Sequence, residues 1–302
     1  MKISTRLIKG GTDIRDDASG SHYGKMAEGW ILQVCFMGLC ASMLLSCGRA
    51  VNYLEPVRPR YSGTFAGKFP LYNEILTVVS FNIKFSDKIN RAELELNTYE
   101  PLKDADIVLL QEMDNEGARQ IADALRYNYV YYPANIHPHH DKDFGNAILT
   151  KWPIMLDKKV ILPFEDSRTK TRRIAVAAVI AAGECEVLVY STHLATFWSG
   201  EEKSMLQADA ILKNIPQHYP YIIIGGDFNT ITRGRFENLE NKFRHHGYIL
   251  ATEGISKTVK AWPFNFQTDH IFSKGFQTID AGKAEKSVAS DHFPIWVKLK
   301  RE

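Results

Sequence analysis

Short apolar runs punctuated by Gly, Pro, Asn and Asp alternate with longer segments whose apolar residues recur at helical spacing. Period-two or continuously apolar runs predict strands over 75–85, 107–111, 129–132, 146–150, 155–162, 174–181, 187–192, 221–224, 247–251, 270–272 and 294–299. The helical period predicts helices over 92–102, 117–125, 203–215 and 235–246. A polar loop with His137, His139 and His140 fills 133–144. Strands and helices in this mixed order suggest one α/β sandwich domain from about residue 75 to 302.

The apolar pattern is broken in an ordered way. Asn82 lies inside Val-Val-Ser-Phe-Asn-Ile, Glu112 follows Ile-Val-Leu-Leu-Gln, and His193 follows Val-Leu-Val-Tyr-Ser-Thr. Asp227 and Asn229 follow Ile-Ile-Ile-Gly-Gly, Asp269 precedes His-Ile-Phe, and Asp291-His292 precede Phe-Pro-Ile-Trp-Val. Buried charge is costly unless it is paired or bound to a cation. Polar residues at so many strand ends therefore predict a shared cleft. On an extended segment Asp227 and Asn229 project to one side. The two glycines before them mark a bend or a close backbone approach, and an Asx turn is the plainer alternative. Glu112 with one or more of Asp227, Asp269 and Asp291 supplies hard oxygen ligands, suited to Mg²⁺ or Mn²⁺. This set fits metal-assisted attack of water on a phosphate ester. There is no P-loop and no dinucleotide-binding glycine fingerprint.

The N-terminal quarter follows a different pattern. Residues 1–25 are polar and without periodicity, and Met26 is an alternative start. Residues 30–45 are apolar; as a helix they would span about 24 Å, short of a hydrocarbon core of about 30 Å. That length suits the apolar core of a secretory signal. The sequence Leu44-Leu45-Ser46-Cys47-Gly48 that follows resembles a bacterial lipoprotein box, which implies cleavage before Cys47 and its acylation. An ordinary cleaved signal, an uncleaved anchor or a chance cysteine are the alternatives. The expected organisation is a leader over 1–46, a Pro- and Gly-bearing tether over 47–74, and a catalytic domain over 75–302. The chain would then sit in a bacterial cell envelope, lipid-anchored outside the cytoplasm.

Composition narrows this further. Net charge is +2 over 302 residues, which gives no strong field for non-specific duplex binding. Three of the four cysteines fall in the apolar leader region, so the body beyond it, with Cys185 alone, cannot hold an internal disulfide framework. Cys185 reads as inert, the three loop histidines as a flexible loop near the site, and Lys242-Phe-Arg-His-His246 as a solvated helix face.

Seven short segments now stand in order: Ser-Phe-Asn82-Ile, Leu-Leu-Gln-Glu112, Gly-Asn146-Ala-Ile-Leu, Ser-Thr-His193-Leu, Gly-Gly-Asp227-Phe-Asn229, Thr-Asp269-His-Ile-Phe and Ser-Asp291-His292-Phe-Pro. Together they resemble the endonuclease/exonuclease/phosphatase superfamily, over roughly residues 75–300. The resemblance implies a four-layer α/β/β/α sandwich of two packed mixed sheets flanked by helices. It implies Glu112 as the principal divalent-metal ligand, with Asn82 and Asp291 close by. It implies Asp227 as the group that orients or deprotonates water, steadied by Asn229, and His292 on the scissile phosphate with Asp269 as its partner. His193 takes a phosphate-contacting position, and Arg173 and Asn146 are candidates for holding substrate. Lys84, two positions after Asn82, stands where some DNA-repair members carry an acid, which argues against a repair role. The segment from Trp262 to Asp269 resembles one in many bacterial members and names no substrate. The expected activity is a metal-dependent phosphoesterase, most readily a phosphodiesterase, on nucleic acid, a phospholipid headgroup or a sugar phosphate, with no obligate protein partner. A non-catalytic envelope binding protein on the same fold is the alternative.

Overall fold

The computed structural model describes residues 50–71, 74–261, 263 and 266–302. The leader, Cys47 and the residues Trp262, Phe264 and Asn265 lie outside the described residues. Fourteen strands are described: β1 (Val51–Asn52), β2 (Tyr61–Gly63), β3 (Ile75–Asn82), β4 (Ile107–Met113), β5 (Asn128–Ile136), β6 (Asp143–Thr150), β7 (Ile154–Glu165), β8 (Arg172–Ala182), β9 (Cys185–His193), β10 (Tyr221–Asp227), β11 (Ile249–Leu250), β12 (Asp269–Lys274), β13 (Phe276–Lys283) and β14 (Ile295–Arg301). The helices are α1 (Ile89–Thr98), α2 (Asn115–Leu125), α3 (Glu201–Lys213) and α4 (Arg233–His245).

The strands form two mixed sheets. One has the order β1-β5-β6-β4-β3-β14-β13 with β2 also on β5; the other has β11-β12-β10-β9-β8-β7. Alternation along each strand sorts the apolar residues into three layers. Leu76, Val78, Ile107 and Leu109 of the first sheet pack between the sheets against Val176, Val189, Ile223 and Ile271 of the second. The opposite face of the first sheet, with Val79, Phe81, Val108 and Leu110, is covered by Leu96 of α1 and Ile121 of α2. The outer face of the second, with Leu188, Tyr190, Ile222 and Ile224, is covered by Ile211 of α3 and Phe243 of α4. The result is the α/β/β/α sandwich.

Local chemistry sets the element ends. Asp114 caps α2, its Oδ1 accepting from Gly117 N at 2.7 Å. Such caps contribute about 0.5–2 kcal/mol. Helix α1 starts and stops earlier than the period predicts: Tyr99 turns to an extended ψ of 126°, and Pro101 cannot continue a helix. The Gly-Gly of β10 is a close approach and not a bend, since β10 pairs in register with β9 through Asp227↔His193. A Cβ on Gly226, whose φ is +150°, would stand 1.8 Å from the Thr192 carbonyl oxygen.

The expected tether is corrected for its central part. β1 and β2 pair with the outer edge of β5. Lys159 Nζ donates to the carbonyls of Tyr53 at 3.0 Å and Arg58 at 2.8 Å. Arg60 makes a two-pronged pair with Asp157 at 2.7 Å. The prolines of this segment are tolerated because it lies on a sheet edge, where missing N–H donors cost little. Strand β13 is also absent from the sequence reading; it is an edge strand with a mixed burial pattern and no clean period.

Candidate active site

Sheet pairing brings the interrupted strand ends to one place. β3 and β4 run parallel with Asn82 opposite Gln111, and β10 lies between β9 and β12 with Asp227 opposite both His193 and Asp269. The two sheets therefore bring Asn82 and Glu112 from one side to His193, Asp227 and Asp269 from the other. Glu112 is aimed by a bulge: the β4–β6 register shifts between Leu110 and Met113, and Glu112 has φ +58°. A non-glycine residue there costs on the order of 1–2 kcal/mol, a strain that clusters at functional sites.

Asp227 is the hub. Its Oδ2 accepts from Asn82 Nδ2 at 3.1 Å and its Oδ1 from the Asn229 backbone N–H at 2.9 Å. Asn82 Nδ2 also reaches Glu112 Oε1 at 3.2 Å. Asn229, with φ +53°, is fixed by donating its Nδ2 to the Leu194 carbonyl at 3.1 Å. Burial, then the neighbouring Asp269 carboxylate, lift the Asp227 carboxyl to about 7.

The two histidines are in opposite states. His193 is 3 % exposed, and its Nδ1 lies 3.1 Å from Arg173 Nη1. A guanidinium only donates, so Nδ1 accepts and the proton sits on Nε2, which faces Asp227 Oδ2 at 3.5 Å. Burial, with the Arg173 charge beside it, pushes His193 well below its ordinary range, so it is neutral. At His292 burial also works against charge, but Asp269 overcomes it and raises the imidazole to about 10. His292 Nδ1 lies 2.9 Å from Asp269 Oδ2, and Nε2 faces Asp227 Oδ2 at 3.9 Å. Asp269 is itself fixed by Thr268 Oγ1 at 2.9 Å and by its own N–H donating to Thr258 Oγ1 at 3.2 Å.

Among the described residues, two sets of side chains bring ligand atoms within 4.8 Å of one another: Glu112, His193 and Asp227, and Asp227, Asp269 and His292. With both nitrogens of His193 engaged, the oxygens of Glu112 and Asp227 are the donors left in the first set. Burial raises the Glu112 carboxyl, against the opposing pull of Arg173. A carboxylate pair with Asp227 buried and Glu112 largely so, incompletely balanced by cations, fits a hard divalent cation.

The expected metal ligands do not all fall together. Asp291 is absent from both sets; its carboxylate, 42 % exposed, pairs with Lys84 Nζ at 3.1 Å. Asn82 presents its Nδ2 to the two carboxylates, while its Oδ1 accepts from Lys84 N at 3.0 Å. Asn146 lies between the sheets, its Nδ2 donating to the carbonyls of Ile174 at 3.0 Å and Ser191 at 3.3 Å. Arg173 is close to the site through His193, with its guanidinium over the Phe144 ring at 5.1 Å.

Several supports lie outside the residues that the sequence singles out. Gln111 Nε2 donates to Ser191 Oγ across the sheets at 3.1 Å. Residues 258–260 clasp the site from behind: Phe293 N donates to the Thr258 carbonyl at 2.7 Å, and Lys260 N to the Asp291 carbonyl at 2.7 Å. An isolated polar residue in an apolar run was visible for Gln111; for Thr258 nothing distinguishes it from a loop threonine.

A profile of the Endonuclease/Exonuclease/phosphatase family matches residues 79–292, well over half of the chain. The chain belongs to this family. Within the Endonuclease/Exonuclease/phosphatase family the fold is shared with solved structures at low identity. A family member from Beutenbergia cavernae superposes with a TM-score of 0.63 at 16% identity, over 75% of this chain and 72% of that one. D. rerio TDP2 complexed with single strand DNA product gives 0.60 at 16% identity, over 75% and 99%. A mannosyl-6-phosphatase from Bacteroides thetaiotaomicron gives 0.54 at 18%, over 74% and 99%. A UPF0294 protein of Vibrio vulnificus is 25% identical over 116 residues, or 37% of this chain and 39% of its own length. The chain thus spans about two fifths of that relative. Members of the Endonuclease/Exonuclease/phosphatase family are generally phosphoester hydrolases that depend on a divalent metal.

Proposed function

We propose that this chain is a divalent-metal-dependent phosphodiesterase that hydrolyses its ester by attack of water. The observation that carries the reading is the hub at Asp227, which has neutral His193 on one side, charged His292 on the other and Glu112 across the gap. Asp227, once ionised, accepts the proton of the attacking water; as the new P–O bond forms, the ester P–O bond breaks and the leaving alkoxide takes a proton from solvent. Asn82 and the Asn229 N–H hold its two oxygens, so the carboxylate is aimed before substrate arrives. His292, charged through Asp269, turns Nε2–H toward the reacting centre and stabilises negative charge on phosphate oxygens. Arg173, behind His193, adds positive charge to the same wall. Glu112 with Asp227 would hold Mg²⁺ or Mn²⁺, which when bound neutralises charge on the phosphate.

The substrate is a phosphate ester of nucleic acid, a phospholipid headgroup or a sugar. We further propose lipid anchoring through Cys47 in a bacterial cell envelope, with the leader-box resemblance as its support. No helix among the described residues is long and apolar enough to cross a membrane.

The test is hydrolysis of a generic phosphodiester with Mg²⁺ or Mn²⁺ by the wild type and by Asp227→Ala and His292→Ala. Each substitution is expected to lower kcat by about 10²–10⁴-fold, the scale of a general base or charge-stabilising donor. Equal rates, or ligand binding without turnover in the wild type, would falsify the assignment.

A further inference from the structure

Beside the site lies a surface that the proposed chemistry does not use. Trp198 is 75 % exposed and Phe164 is 40 % exposed. Trp198 lies on the loop that follows His193, in the short turn Phe197–Ser199. Phe164 is the penultimate residue of β7, just before the loop that returns to Arg172. The two are tied together: Ser199 Oγ donates to Asp166 Oδ2 at 3.0 Å. Phe164, Asp166, Arg173, Ser199 and Lys203 line one cleft, so the surface is continuous with the wall of the active site.

Its exposed charge leans positive, with Glu202 as the exposed acid on the far side of Trp198. Arg168 and Lys170 stand exposed on the loop between Phe164 and Arg172. The acids of that stretch are already engaged. Glu165 pairs with Arg172 at 3.3 Å, and Asp166 accepts from the backbone N–H groups of Arg168 and Thr169 at 2.9 Å. An exposed indole and phenyl flanked by free cations suit the boundary between water and acyl chain, where the rings bury apolar area and the cations meet phosphate.

The course of the chain points the same way. Asn52 of β1 donates Nδ2 to the Lys170 carbonyl at 2.9 Å and accepts from Arg172 N at 2.8 Å. Val51 pairs with Ile136, at the end of β5 that faces the site. The chain therefore enters the folded body at this rim. Cys47, the cysteine of the lipoprotein-box resemblance, stands three residues before Ala50 in the sequence.

We infer that the rim formed by Phe164, Arg168, Lys170 and Trp198 docks on an anionic lipid surface, so that the site acts on a phosphoester presented at that surface. The substrate part of this inference rests on the phosphodiesterase reading; the docking part does not.

The experiment separates the two. The full chain is reconstituted in phosphatidylglycerol-containing vesicles, in phosphatidylcholine vesicles and in detergent micelles, and amide hydrogen exchange is followed over 164–172 and 196–200. Slower exchange of both segments in the phosphatidylglycerol vesicles alone is expected. Unchanged exchange there overturns docking. Equal protection in all three media also overturns it, because the chain itself then covers the rim. In parallel, hydrolysis of a phospholipid in phosphatidylglycerol vesicles is compared with hydrolysis of a soluble diester. Trp198→Ala/Phe164→Ala and Arg168→Glu/Lys170→Glu are each expected to lose about tenfold or more on vesicles, with the soluble rate retained. Equal losses on both substrates overturn the substrate inference. A wild type inactive on both leaves exchange to decide docking and counts against the phosphodiesterase reading alone.

Discussion

Asp269 holds His292 in its charged form: the carboxylate lies 2.9 Å from Nδ1 and leaves Nε2–H directed at Asp227. Replacing Asp269 with Asn removes the charge that offsets burial. The kcat of Asp269→Asn is expected to fall by about 10²-fold, within the usual range for a lost charge-stabilising group. A near-unchanged rate would place the pair outside the chemistry.

The same pair sets a pH profile. Asp227 works as an acceptor and as a ligand only when ionised, and in the metal-free protein its carboxyl is lifted to about 7, so activity at limiting metal rises as pH increases through that value. His292 is charged below about 10, so activity falls as pH rises through that value. Asp269→Asn is expected to move the alkaline limb down toward the ordinary histidine value near 6.5. A profile of kcat/KM for both proteins checks it, and an unmoved limb removes His292 from that role.

Glu112→Gln keeps the shape of the side chain and removes its charge. Calorimetric titration with Mn²⁺ is expected to show affinity at least about tenfold weaker, since one charged oxygen ligand is lost from a hard-cation site. Asp291→Asn, whose carboxylate faces Lys84, is expected to weaken it less. The reverse order would restore Asp291 to the ligand set.

The two glycines of β10 differ in what surrounds them. Gly225→Ala meets Leu109 Cδ1 at 2.6 Å, a side chain able to shift, and is expected to cost about 1–3 kcal/mol. Gly226→Ala meets the Thr192 backbone oxygen and is expected to prevent the strand from seating. Urea unfolding of both variants separates them; equal midpoints would contradict the strand register.

Asp166 makes an acid-sensitive contribution. Burial alone would raise its carboxyl, but hydrogen bonds from Thr169, Arg168 and Ser199 bring it down from 3.8 to about 2. A depressed folded value stabilises above the unfolded one, so the contribution is complete above about 4 and disappears as pH falls through about 2. The urea midpoint of Asp166→Ala should therefore trail the wild type at pH 7 and converge with it near pH 2. A gap that persists at pH 2 would assign the effect to packing.

Much of the site was legible because its residues break an apolar run. Asn82, Glu112, His193, Asp227 and Asp269 each interrupt or end a strand, and strand ends converge when two sheets pack. Asn146 was legible by motif, yet its amide braces two backbone carbonyls. What remained hidden depends on partners distant in sequence. The tautomer of His193 is set by Arg173, 20 residues away. The loop around Thr258 closes on 268–269 and 293 by hydrogen bonds that leave no period. The segment 51–63 looked like a tether because prolines exclude helices, and sequence alone does not distinguish a free segment from one laid along a sheet edge.

The inter-sheet braces carry a consequence for variation. Glu112 and Asn82 belong to one sheet and His193, Asp227 and Asp269 to the other, so the gap across which they act is the thickness of the central apolar layer. Gln111 to Ser191 and Asn146 to Ser191 fix that thickness just below the reacting groups, Gln111 beside Glu112 and Ser191 two residues before His193. A methylene added or removed at Leu109 or Ile223, below the reacting groups in the layer between the sheets, works as a shim in a vice: it changes the spacing of the jaws without touching either face.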